Sequence, residues 1–102
     1  AMPRFGPPVK AIYYPMKSNG KRGKGTLMKE VTMYCDHEDQ AKNLDGSGEI
    51  IKYVFIKTGK KEYKFYFGLE VTDEQVSAEC KEIALVSLRA PHLYTALEVK
   101  LN

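Results

Sequence analysis

The chain reads as an α+β domain: an antiparallel-rich sheet of about five strands with one helix packed on one face, in the order β-β-β-β-α-β. Three observations carry this. Residues 49–57 and 60–71 are β-rich runs joined by a short glycine turn at Thr58-Gly59, which is a hairpin signal. Residues 26–35 and 92–101 alternate apolar and polar side chains with period two. Between them, Thr72-Asp73-Glu74-Gln75 forms a capping box, followed by Val76, Cys80, Ile83, Ala84 and Ser87 at helical spacing. Because residues 82–88 (EIALVSL) also suit a strand, a small all-β barrel or sandwich is the alternative.

Each element follows from local chemistry. Pro3, Pro7 and Pro8 cannot donate to a sheet ladder, so residues 1–8 are expected to be a flexible arm and residues 9–102 a single globular domain. Residues 9–16 are rich in β-formers and form the first strand. They run into a glycine-rich polar stretch, 18–25, expected to be an exposed loop. In the second strand Leu27, Val31, Met33 and Cys35 point one way, interrupted by Lys29, while Met28, Glu30, Thr32 and Tyr34 point the other. Residues 36–48 are polar and turn-forming, with room for one helical turn over 38–42.

The hairpin register follows from its side chains. A three-residue loop, Thr58-Gly59-Lys60, opposes Phe55 to Tyr63, Tyr53 to Phe65 and Ile51 to Phe67, with Leu69 and Val71 on the same face. A slip of one residue would place rings opposite Glu62 and Lys64, so this register is expected. The helix after Thr72 should cover that aromatic face and end near Arg89, before Pro91. A closing strand then spans residues 92–101.

Composition narrows the classes. In 102 residues, 43% hydrophobic and 28% charged, there is one core and no disordered or collagenous bias. No apolar run approaches the roughly 20 residues that cross a bilayer, so no membrane association is expected. Two cysteines without a leader-like start suggest free thiols and a cytoplasmic setting. The formal charge of +3 conceals alternating blocks: +6 over residues 1–30, −4 over 31–50, +4 over 51–64 and −3 beyond.

Candidate chemistries fail on particular residues. Arg22-Gly23-Lys24-Gly25-Thr26 resembles the end of a phosphate-cradling loop, but Ser18 stands where its first glycine belongs, and a strand follows. Residues 43–50 (NLDGSGEI) resemble the start of a calcium-binding EF-hand loop, yet Val54 occupies the position of the bidentate glutamate. Cys35, His37, Cys80 and His92 lack metal-ligand spacing, and Asp36, Glu38 and Asp39 sit in a turn without a pocket. The segment from Lys64 to Val71 resembles the central strand of RNA-recognition motifs, but Phe65 and Phe67 replace its glycines and the family does not carry over.

No cofactor, small-molecule substrate or catalytic constellation is therefore expected, and the chain is read as a non-enzymatic binding domain. Two basic loops supply Lys17, Lys21, Arg22, Lys24, Lys57, Lys60 and Lys61 to neutralise phosphates. Tyr66, with Tyr34 or Tyr14, is expected to be exposed for stacking on single-stranded nucleic acid or RNA. The alternative is a protein-interaction or homodimerisation module that uses a sheet edge, residues 9–16 or 93–101, and charge complementarity.

Overall fold

The computed structural model describes residues 2–50, 52–90 and 99–101. The class is α+β. Strands β1 (Arg4–Phe5), β2 (Val9–Tyr13), β3 (Thr26–Tyr34), β4 (Ser47–Ile50), β5 (Tyr53–Gly59), β6 (Glu62–Phe67) and β7 (Val99–Leu101) form one sheet. Its order is β1-β3-β6-β5-β4-β7, with β2 also on β3, every pairing is antiparallel, and it does not close into a barrel. Helix α1 (Glu38–Ala41) leads into a 3-10 turn, Lys42–Leu44, and helix α2 (Asp73–Glu82) continues as a π-helical segment, Ile83–Leu88.

The odd-numbered rings are roofed by the helix, as expected. Phe55, Tyr63, Phe65 and Phe67 are fully buried and meet Val76, Cys80, Ile83, Ala84 and Leu88. Each such ring contributes roughly 1.5 to 3 kcal/mol on leaving water. The capping box is formed: the Gln75 amide donates to Thr72 Oγ1 at 3.1 Å, and the Thr72 amide donates to Gln75 Oε1 at 3.0 Å. Lys29, the interruption in the β3 stripe, lies at the rim of this core. Its Nζ donates to the Val71 carbonyl at 2.6 Å and to Asp73 Oδ1 at 2.7 Å, tying the start of α2 to the sheet.

Four expectations are corrected. The hairpin pairs Phe55 with Phe65 instead of Tyr63, because the turn is Lys60-Lys61 and an extra residue, Thr58, bulges between Lys57 and Gly59. The displacement is two residues, so every ring keeps its face. Residues 49–57 are not one strand: β4 and β5 reverse direction between the paired residues Ile50 and Tyr53. The first residues are not outside the sheet, since Arg4 pairs with Tyr34 and Phe5 with Met33. Gly6-Pro7-Pro8 then interrupt the rim before β2 resumes against the same strand. Leu69 does not continue the buried stripe, because β6 ends at Phe67, and it is 42% exposed. Of the closing strand only Val99–Leu101 falls among the described residues, paired with β4, while Pro91, His92 and the start of the 93–101 edge lie outside them.

Candidate nucleic-acid interface

Strand direction decides where the basic residues go. Antiparallel pairing sets Lys29 against Phe67 and Tyr34 against Glu62, so the β2–β3 connection and the β5–β6 turn lie at opposite ends of β3. Those ends are eight residue steps apart, about 26 Å at strand rise. Lys17, Lys21, Arg22 and Lys24 are gathered at one end, and Lys57, Lys60 and Lys61 at the other.

The first group sits on an ordered two-stranded arm, not a loose loop. β2 and β3 continue past the Tyr13–Thr26 pair to a bridge between Met16 and Arg22. The Lys17 amide donates to the Lys21 carbonyl at 2.8 Å, closing a three-residue tip, Ser18-Asn19-Gly20. Gly20 takes the left-handed conformation (φ 81°) that this tip requires, and its amide donates to the Lys17 carbonyl at 2.9 Å. Asn19 Oδ1 accepts the Lys21 amide at 3.0 Å. Prolines and glycines that argue against a central strand are here the punctuation of a hairpin.

The arm carries a ring under a cation. The Arg22 guanidinium lies 4.2 Å from the centroid of Tyr14, which is 42% exposed. Gly25 makes the ring's position possible, because a Cβ there would stand 2.7 Å from Tyr14 Cε1 and 2.6 Å from Ile12 Cγ2. Among the described residues, none of Lys17, Lys21, Arg22 and Lys24 forms an ion pair. The start of α2 brings Asp73 and Glu74 to the same end, but Asp73 is held by Lys29.

No known family, curated protein or solved structure matches this chain.

At the far end the charges are partly spent. Lys57 Nζ pairs with Asp45 at 3.7 Å, and Thr58 Oγ1 donates to Glu62 Oε1 at 3.2 Å. Lys60 and Lys61 are exposed. Tyr34 is 47% exposed nearby, but its partner across the β3–β6 ladder is Glu62, a like charge to any phosphate.

Tyr66 does not offer the exposed ring expected of it. It projects from the helix-free face as its parity demands, yet it is 7% exposed. Tyr13 reaches across β3 to place its ring centroid 4.9 Å away, and Glu30 accepts the hydroxyl while facing Lys64 at 3.6 Å. Burial first, then the Glu30 contact, pushes the Tyr66 hydroxyl up to about 12. The exposed ring on a basic element is Tyr14, which the sequence also offers beside Tyr66; its signal is position, immediately ahead of a charged hairpin.

The remaining candidates are placed by their surroundings. Cys35 and Cys80 are buried, and desolvation raises both thiols, Cys80 to about 12. No group of three or more His, Cys, Asp or Glu side chains able to hold a metal occurs among the described residues. In the EF-hand-like stretch, Asn43 Nδ2 donates to the Leu88 carbonyl at 2.7 Å and Gly46 turns at φ 84° into β4. Asp36 pairs with Arg4 at 3.6 Å and Asp39 with Lys42 at 3.3 Å. No helix among the described residues is long and apolar enough to cross a membrane.

Proposed function

We propose that this is a non-enzymatic nucleic-acid-binding domain whose contact surface is the β2–β3 arm. The observation that carries the reading is the set of four cations, Lys17, Lys21, Arg22 and Lys24, that form no ion pair among the described residues, on one hairpin closed by backbone hydrogen bonds and with no acidic residue between Tyr14 and Lys29. Phosphate neutralisation needs cations that are not already partnered, since each must exchange a condensed counterion for a phosphate oxygen. Electrostatic contact from a preformed hairpin also loses little chain entropy on binding.

The protein-interaction alternative is less well supported by the rim nearest the arm. Pro7, Pro8 and Pro15 supply no N–H, so an added strand would meet a broken row of donors from Arg4 to Met16. The test is a titration of a labelled single-stranded oligonucleotide, followed by anisotropy. With four contacts the affinity should fall about 50-fold between about 50 and 200 mM salt, a slope of about −3 in log–log form. Affinity that does not respond to salt, or no affinity at the lower concentration, removes the reading. Concentration-dependent self-association seen by sedimentation in the same samples would then move the assignment to protein contact.

A further inference from the structure

We infer that the Tyr14–Arg22 pair is a stacking platform for an unpaired base, so that the arm selects single-stranded nucleic acid over a duplex. This rests on the nucleic-acid reading above and goes beyond it by naming what the arm recognises besides phosphate.

Three features of the arm support it. The guanidinium lies over the ring at 4.2 Å and Arg22 is itself exposed, so a flat cationic surface faces solvent. Aromatic rings and guanidinium planes are the two side-chain surfaces on which splayed bases stack. The platform is also fixed in advance. Gly25 admits the ring where any Cβ would collide with it, and the Met16–Arg22 bridge sets Arg22 on the strand facing Tyr14's own. Finally, the arm is poorly equipped for a duplex groove. Edge reading draws on Arg or Lys for guanine and on Asn or Gln for adenine, and the lysines of the arm are assigned above to phosphate. Here the Asn19 side-chain oxygen holds the Lys21 amide and the Arg22 guanidinium covers Tyr14. Inside a paired helix both faces of a base are already covered by its neighbours, whereas a single strand can turn a base out onto the pair.

The experiment compares three probes at one salt concentration: a short single-stranded DNA, an abasic strand of the same length and charge, and the corresponding duplex. The base-bearing strand should bind about 5- to 150-fold more tightly than the abasic one, the range expected for one stacked base. Tyr14→Phe should keep that ratio and Tyr14→Ala should reduce it towards one. Arg22→Lys, which keeps the charge but removes the plane, should lower the ratio while leaving the salt slope near its original value. Equal binding of base-bearing and abasic strands, or preference for the duplex, overturns the platform while leaving phosphate binding in place. No binding to any probe overturns both readings together.

Discussion

Two basic ends of one sheet look alike as sequence and differ as surfaces. The arm and the β5–β6 turn are both short glycine-containing reversals rich in lysine. Their neighbours separate them. Behind the turn lie Asp45 and Glu62, brought in by the 3-10 connection and by β6, and one takes up Lys57 while the other bonds Thr58. The arm projects past the pairing of β3 with β6, and among the described residues no carboxylate forms an ion pair with its cations. Local charge density is thus a property of what the topology sets beside a loop, not of the loop's composition.

The largest expected effect comes from removing charge at one end only. Lys17→Gln, Lys21→Gln, Arg22→Gln and Lys24→Gln together should abolish salt-sensitive oligonucleotide binding. Lys60→Gln with Lys61→Gln should leave affinity within a few-fold of the parent. Because all six side chains are exposed, both variants should keep the parent's thermal midpoint, measurable by circular dichroism. Equal losses from the two variants would show that the ends act as one surface.

Much of the fold is legible in the chain because parity survives errors of register. The rings at 53, 55, 63, 65 and 67 share a face whether the turn lies at Thr58 to Lys60 or at Lys60-Lys61, and that face determined the packing of α2. The reversal between β4 and β5 was hidden for the opposite reason: no glycine, proline or asparagine marks it, and the strand pairing alone imposes it. β1 was hidden because Pro7 and Pro8 signal a break without saying that the chain returns to the same ladder. At the candidate site the cations were visible but not their separation, which depends on strand order. Tyr66 was assigned to its correct face, but its cover comes from Tyr13, two strands away.

Glycine substitutions distinguish the two ends with opposite sign. Gly25→Ala forces the Tyr14 ring and Ile12 aside, and overpacking of this kind costs about 1 kcal/mol or more. In the turn, a Cβ at Gly59 would meet only Glu62 Cβ, at an ordinary 3.8 Å, and the φ of Gly59 is not positive. Gly59→Ala should therefore be neutral or stabilise by about 0.4 to 1 kcal/mol, through loss of freedom in the unfolded chain. Chemical denaturation reads both values, and an opposite ordering would mean that the arm yields to a methyl group more easily than its contacts indicate. Gly25→Ala should also weaken discrimination between base-bearing and abasic strands, which Gly59→Ala should leave alone.

The smallest effect tests whether partnering is what silences the turn. Asp45→Asn removes the carboxylate facing Lys57, whose side chain is 20% exposed, whereas that of Asp45 is 85% exposed. A pair this open to water contributes less than about 1 kcal/mol, so the denaturation midpoint should barely move. The substitution nevertheless leaves three unpaired lysines at the turn, against four cations on the arm. A small, salt-sensitive gain in oligonucleotide affinity is expected. The ratio between base-bearing and abasic strands should not change, because the exposed ring at that end, Tyr34, faces Glu62 instead of a guanidinium. If the ratio rose with the affinity, freeing one lysine would be enough to make a stacking site there, and the difference between the two ends would lie in charge alone.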